Sequence, residues 1–305
     1  MTNHYTFTIG IPAHNEAKNI RQLLNALIMQ KVPNGYTLKH IVVLCDGCTD
    51  DTAKIVQSIL SVDKRIVLSN DGQHLGKSER LSELYKQTTT DILITMDADT
   101  LPANDSFLVG LLLPFQDTAV GLVGANDTPA PSQTFVQKVG SAWINAWYEM
   151  RHSINNGDIV HNHKGCASAG RSVFLQKVKI PKELHSDDDF VYFRCKQLGY
   201  KFVFAESSVI YYTIPSNFGE YISQSARFLT VKHEVGDYLG TWVYKEYAIP
   251  SRAKIRGLIV TFIHDPFYFT VALVLQIWIR TIRHAYLHEF SGITWKQITS
   301  SKTHI

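Results

Sequence analysis

Two carboxylates one residue apart, Asp97 and Asp99, end the run DILITMDAD, a buried-strand pattern that stops on acidic residues. Hard cations such as Mg²⁺ and Mn²⁺ are held by one or two such carboxylates together with substrate phosphates. A turn after a buried strand can aim such a pair at one metal. The D-x-D pattern recurs by chance, so two capping or solvated turn aspartates are the bland alternative. Asp46 follows a second strand-like run, HIVVLC. Asp187, Asp188 and Asp189 open a helical segment, where the macrodipole alone would favour acidic residues. Cys45 and Cys48 form a C-x-x-C that would suit a redox pair or half a zinc site, or two small residues in a loop. His161 and His163 stand one residue apart before Lys164 and Gly165. They could supply a metal ligand, contact an acceptor, or be solvated loop residues. His233 could likewise reach a metal or be a packed or surface histidine. Trp143, Trp147 and Tyr148 suit a core or a groove, or a platform on which a sugar stacks.

These residues need a scaffold that brings them together. Thr6–Ile11, His40–Cys45, Arg65–Leu68 and Asp91–Asp97 read as strands. Between them, apolar residues recur at helical spacing: Ile20, Leu23, Leu24, Leu27 and Ile28 in one segment, then Thr49–Leu60 and Ser78–Gln87. Strand and helix alternating in this way predict an α/β fold with a mostly parallel central sheet. Such sheets bind ligands beyond the carboxyl ends of their strands, which is where Asp46, Asp97 and Asp99 fall. Further along, Gln133–Asn155, Asp187–Leu198 and Asn217–Glu234 read as helices, and Lys201–Glu206 and Ser208–Tyr212 as two short strands.

The chain has 305 residues, of which 45% are hydrophobic and 19% charged, with 30 Lys plus Arg against 27 Asp plus Glu. That length buries a substantial core without staples, and the composition excludes disorder as the main state. The near balance of charge argues against nucleic acid as a partner. Four cysteines suit a reducing cytosol. The opening MTNHYTFTIGIPAHNE has no basic start followed by an apolar stretch, so no secretory signal is expected.

The order of the short motifs carries more than any one of them. IPAHNEAKNI, IVVLCDGCTDDT, LGKSERL, MDADT, DDDFVYFRCKQLGY and QSARF follow one another over about Phe7 to Phe228. In that order they resemble the family 2 glycosyltransferases, enzymes with a GT-A fold built as a single nucleotide-sugar-binding domain. The resemblance implies an inverting transfer of a sugar from a nucleoside diphosphate sugar, most often a UDP-sugar, to an acceptor hydroxyl. It implies Mn²⁺ or Mg²⁺ as cofactor. Carried over residue by residue, it makes Asp46 a nucleotide-base contact, with Pro12, His14 and Glu16 lining the same pocket. Lys77 would approach the nucleotide or its diphosphate. Asp99 would ligate the metal, and Asp97 would touch the ribose or the metal shell. Asp188 or Asp187 would be the general base, with Asp188 the better match in spacing. Gln224 and Arg227 would hold the acceptor or the diphosphate side. The sequence departs from the family's pattern at Cys45, Cys48 and Phe228, where an aspartate, a serine and a tryptophan are usual.

A sugar-nucleotide nucleotidyltransferase would use similar aspartates on a similar sheet. Its glycine-rich G-x-G-T-R-like loop is missing from GIPAHNEAKNI. A non-catalytic nucleotide-sugar-binding protein is the other alternative, and the intact D-x-D and base candidates count against it. The boundary Ile249–Pro250–Ser251 divides an expected domain over 1–248 from a helical, apolar tail over 249–305. In the tail, Arg252, Lys254, Arg256, Arg280 and Arg283 bracket an aromatic-rich segment. His264-Asp265-Pro266 interrupts that segment, which predicts two helices meeting near Pro266 in place of one spanning helix. Peripheral membrane contact through 250–290 is expected, as against packing on the domain or on another subunit. The acceptor would then be a glycan or lipid-linked molecule, and the location the cytoplasm, at the cytoplasmic face of a membrane.

Overall fold

The computed structural model describes residues 4–230 and 234–282. Eight strands form one sheet: β1 (Tyr5–Ala13), β2 (Tyr36–Cys45), β3 (Ile66–Asn70), β4 (Ile92–Met96), β5 (Thr100–Pro102), β6 (Val120–Pro129), β7 (Ala167–Arg171) and β8 (Lys201–Tyr212). Their spatial order is β3-β2-β1-β4-β7-β6-β8-β5. The first four read from the sequence, β3-β2-β1-β4, are all parallel. Beyond β4 the sheet is mixed. β7 runs antiparallel to both β4 and β6, β6 and β8 are parallel, and β5 is antiparallel to β8. The expectation of a mostly parallel sheet therefore holds for the first half only. β7 reads ASAGR, with no β-branched residue to mark it as a strand. The two short strands expected over 201–212 are one continuous strand, Lys201–Tyr212, whose pairing with β6 shifts register between Ala125 and Asn126.

Alternation along the strands sends side chains into two cores. From β1, β2 and β4, Phe7, Ile9, Ile11, Ile41, Val43, Ile92 and Ile94 enter one core with the Ile20–Ile28 helix. Leu44 and Leu93 face the other, where Leu81, Leu84, Phe190 and Phe193 cover them. Both faces are thus buried, as a period of two in near-continuous apolar strands requires. The carboxyl ends of β1, β2 and β4 are left as the open edge.

The helix expected over 133–155 spans Phe135–Arg151 and opens with a capping box between Thr134 and Gln137. The helix Phe218–Thr230 follows β8. Two helices then close the described chain, Ser251–His264 and Pro266–Ile282, meeting at Asp265 as the His264-Asp265-Pro266 interruption predicts. They pack on the domain. Gly257 lies so close to the Phe135–Arg151 helix that a Cβ there would stand 2.9 Å from the Ala146 carbonyl. Gln276 donates a 3.0 Å hydrogen bond to the Tyr221 hydroxyl on the Phe218–Thr230 helix. No helix among the described residues is long and apolar enough to cross a membrane. His233 and Arg283 lie outside the described residues.

Candidate active site

The turn after β1 and the turn after β2 are tied together. Asn15, at φ 56°, accepts hydrogen bonds through its Oδ1 from the Thr49 and Asp50 amides at 2.8 and 3.3 Å. The Glu16 amide donates to Thr52 Oγ1 at 2.8 Å, and Glu16 Oε2 accepts from Asn19 at 3.0 Å. Glu16 is buried. His14 Nδ1 donates to the Asp46 carbonyl at 2.6 Å, and its ring stacks on His74 with centroids 4.4 Å apart. Cys48 donates to the Ala13 carbonyl at 3.2 Å and hydrogen-bonds Cys45, and all four cysteines are free. The C-x-x-C therefore sits beneath this pair of turns as two small thiols.

Asp46 is the knot of the region. Its Oδ1 accepts from the Leu75 amide at 2.7 Å and from Arg80 Nε at 3.0 Å. Its Oδ2 accepts from the Gly76 amide at 3.0 Å and meets His74 Nδ1 at 2.8 Å. Burial pushes the carboxyl up, but the bonds from Leu75, Arg80 and Gly76 outweigh it and hold the group below its ordinary value. Both oxygens are thus engaged by the chain itself. Asp46 fixes the His74–Lys77 turn and, through its carbonyl, the His14 ring. Arg80, His74 and this loop-organising role were not read from the sequence. Arg80 lies on the buried face of an otherwise polar helix, where spacing alone gives no signal.

His14, Asp46 and His74 also form the one group among the described residues with three metal-type donor atoms, all within 4.8 Å of one another. It joins the turns after β1, β2 and β3, and neither Asp97 nor Asp99 is among its donors.

The second half of the site gathers at the end of β4. Pro12, Lys77, Tyr85, Asp97, His163, Asp187 and Asp188 line one cleft. Lys77, first residue of the Lys77–Gln87 helix, reaches Asp97 Oδ1 at 2.5 Å. Burial would lower its pKa, but Asp97, then Asp187 and Asp188, raise it well above the ordinary value, so it stays an ammonium. Gly165 makes room for that ammonium, since a Cβ there would stand 2.8 Å from Lys77 Nζ. The Asp97 amide donates to the Cys166 carbonyl at 3.0 Å, which fixes the D-x-D turn against the start of β7.

Asp187 and Asp188 start the Asp187–Gln197 helix. Burial pushes the Asp187 carboxyl up to about 6, with Lys77 pulling it down and Asp188 and Asp97 pushing it up again. Burial also raises Asp188, which Lys77 and the Asp189 amide lower. Asp189 leaves the cleft and accepts from the Tyr247 hydroxyl at 2.7 Å. The three-aspartate run is thus divided by the helix turn, with 187 and 188 toward the cleft. His163 Nδ1 donates to the Asp188 carbonyl at 2.8 Å, which leaves the lone pair on Nε2. That Nε2 is buried and has no hydrogen-bond partner. Burial depresses the ring's pKa to about 4, so it is neutral. His161 is held apart, its Nε2 facing the Tyr247 carbonyl at 3.1 Å and its ring edge-on to Trp147.

Arg227 feels the attraction of Asp188, Asp187 and Asp97, although burial lowers its pKa on balance. Gln224 is one helical turn before it, half-buried. Trp143 packs with the tail helices under the Arg280 guanidinium, and the Tyr148 hydroxyl donates to Glu206. Trp143, Trp147 and Tyr148 are all half-buried, and none is among the described residues that line the cleft. A further charged group went unread in the sequence: Lys164 pairs with Asp127 at 2.6 Å, beside the fully buried Arg151.

A divalent cation fits the cleft by its donor chemistry. Asp97 lines the cleft with a hard oxygen, and Asp99, half-buried two residues on in the same turn, is not among the lining residues. Among the described residues that line the cleft, Lys77 is the one Lys or Arg, against Asp97, Asp187 and Asp188.

Residues 8–177 match the profile described as Glycosyl transferase family 2. A 97-residue stretch is 36% identical to 4,4'-diaponeurosporenoate glycosyltransferase of Staphylococcus aureus (strain USA300), covering 32% of this chain. The match spans only 24% of that relative's length. Among solved structures, the mannosyltransferase PcManGT from Pyrobaculum calidifontis, in complex with GDP-Man and Mn²⁺, superposes with a TM-score of 0.62 at 17% identity. That superposition covers 94% of this chain and 79% of the other. Staphylococcus aureus TarS gives 0.53 at 15% identity, over 94% of this chain and 54% of its own. At such identities the two structures speak for the fold. The matched profile covers more than half of the sequence and includes both turns and the D-x-D, and the chain belongs to glycosyl transferase family 2, with the GT-A fold.

Proposed function

We propose that this chain transfers a glycosyl group from a nucleoside diphosphate sugar, a UDP-sugar by preference, to an acceptor hydroxyl with inversion at the anomeric carbon. One observation carries the reading. Asp97, Lys77, Asp187 and Asp188, from three elements and 112 residues of chain, line one cleft at the carboxyl end of the sheet. Asp99 and Asp97 would hold Mn²⁺ or Mg²⁺. Such an ion supplies neutralising charge beside the diphosphate as the glycosidic bond breaks. Lys77 and Arg227 add fixed positive charge for the same leaving group, already oriented before substrate arrives.

Pro12, His14, Glu16, Asp46 and His74 shape the pocket for the base, with Asp46 acting through the turn it organises. Asp188, with Asp187 as the alternative, accepts the proton of the acceptor hydroxyl. The acceptor oxygen forms its bond to the anomeric carbon while the bond to the diphosphate oxygen breaks, and that oxygen leaves with the electron pair. Gln224 and Arg227 would hold the acceptor or the diphosphate side. The acceptor is a glycan or a lipid-linked hydroxyl, met in the cytoplasm or at the cytoplasmic face of a membrane.

The experiment is a panel of nucleotide sugars with Mn²⁺, read by thermal shift and then by product mass. Release of nucleoside diphosphate with a glycosylated or hydrolysed product is the expected outcome. Release of pyrophosphate would mean nucleotidyl transfer, and binding without turnover a non-catalytic protein.

A further inference from the structure

The two helices Ser251–His264 and Pro266–Ile282 are apolar on both sides. Gly257 and Thr261 in the first, and Phe269, Ala272, Gln276 and Ile279 in the second, face the domain and are buried. At helical spacing these make one inward stripe on each. The opposite stripes carry Ile255, Ile259, Phe262 and Ile263 on the first helix, and Phe267, Val274, Ile277 and Trp278 on the second. All eight are exposed, Ile263 by 71% and Val274 by 63%. A surface helix of a soluble domain is polar on its outer face, and one that is apolar all round has something covering it.

Charge and length identify the cover. Residues 251–282 contain Arg252, Lys254, Arg256 and Arg280 against the single acid Asp265. That acid accepts from the Tyr268 amide at 3.2 Å, at the start of the second helix. Arg252 and Lys254 are exposed beside the first outer stripe; Arg256 and Arg280 are exposed too, though the first reaches toward Glu149 and the second lies over the Trp143 ring. The helices have 14 and 17 residues. At about 1.5 Å per residue they run about 21 and about 26 Å, short of the ~30 Å hydrocarbon core of a bilayer. Helices of this kind lie in the interface plane, with apolar side chains among the acyl chains and arginines and lysines among anionic headgroups.

We infer that the outer face of these two helices seats the protein on an anionic lipid bilayer. The placement gives the seat a purpose. The second helix packs on Tyr221 and Ser225 of the Phe218–Thr230 helix, and the same helix carries Arg227, which feels Asp187, Asp188 and Asp97. One helix thus separates the bilayer from the cleft. A hydroxyl carried by a membrane lipid is the acceptor class this arrangement serves, and that part rests on the glycosyl-transfer reading.

The test is flotation of the full-length protein with phosphatidylcholine vesicles and with vesicles containing phosphatidylglycerol. Binding is expected to the anionic vesicles and to be reversed by high salt. Ile259→Glu/Ile263→Glu changes exposed residues only; it should abolish flotation while leaving the melting temperature unchanged. Arg252→Gln/Lys254→Gln should weaken partitioning roughly 30-fold, from about 1 kcal/mol per basic residue near an anionic surface. No flotation, equal flotation with neutral vesicles, or flotation insensitive to Ile259→Glu/Ile263→Glu would each overturn the inference. So would a solution dimer that Ile263→Glu splits, since the face would then be covered by a second copy. Hydrolysis of the donor sugar by water, measured on the same preparations, reports the transfer reading separately.

Discussion

Replacing Arg80 with methionine tests the idea that Asp46 organises the nucleotide-facing turn. The Arg80 side chain is 1% exposed and that of Asp46 6%. Arg80 donates five hydrogen bonds: to Asp46 at 3.0 Å, to Asp71 at 2.9 and 2.7 Å, to Glu83 at 3.0 Å and to the Gln73 carbonyl at 2.7 Å. The Asp71 and Glu83 partners are partly exposed and can turn to water, so their loss costs little. Asp46 cannot. Breaking a buried pair from one side costs about 3–5 kcal/mol because a buried charge is left behind. The Leu75 and Gly76 amides remain, so about 3 kcal/mol is expected, a fall in melting temperature on the order of 6 °C for a chain of this size. Asp46 in the folded protein titrates below its unfolded value. It therefore contributes stability above the unfolded pKa of about 4, and that contribution disappears as pH falls through the folded pKa. Arg80→Met should flatten this acid-side loss. Urea unfolding of wild type, Arg80→Met, Asp46→Asn and the double variant, at pH 7 and pH 4, measures all of it. The double variant should recover part of the loss, since no buried charge is left unpaired. A loss under about 1 kcal/mol, or strict additivity of the two changes, would refute the account.

Asp99→Asn should lower transfer by a factor of about 10² or more while leaving the fold intact, because an amide offers no anionic oxygen to a metal beside a diphosphate. Full turnover of this variant in chelator-treated buffer would sink the D-x-D assignment. Asp188→Asn should retain donor binding by calorimetry and lose transfer by about 10²–10⁴-fold. If Asp187→Asn is dead and Asp188→Asn active, the base is the preceding residue. Gly165→Ala places a methyl group 2.8 Å from Lys77 Nζ; it should raise the donor KM several-fold with a melting temperature within about 2 °C of wild type, since the end of the lysine chain can give way, displaced from its place beside Asp97, without disturbing the backbone. Unchanged KM would mean that Lys77 does not touch the donor.

Much of this site was legible because it depends on short local patterns. A near-continuous apolar run ending in an acid is enough to put Asp46, Asp97 and Asp99 at strand ends, and parallel strands put those ends on one edge. The helical interruption at His264-Asp265-Pro266 was also local, since proline denies the preceding turn a donor. What the sequence left open depended on contacts between distant segments. Period and propensity do not distinguish β7, whose small residues pair antiparallel between β4 and β6 and make the sheet mixed. Three consecutive aspartates look alike in sequence; the helix turn sends Asp187 and Asp188 to the cleft, and the Tyr247 hydroxyl, 58 residues on, takes Asp189. Asp46 could be named as a site residue from its place after a strand. That both its oxygens would be taken by Leu75, Gly76, Arg80 and His74 is decided by how the next helix docks. Burial and pairing of charge are properties of the packed molecule, and no spacing rule along one chain contains them.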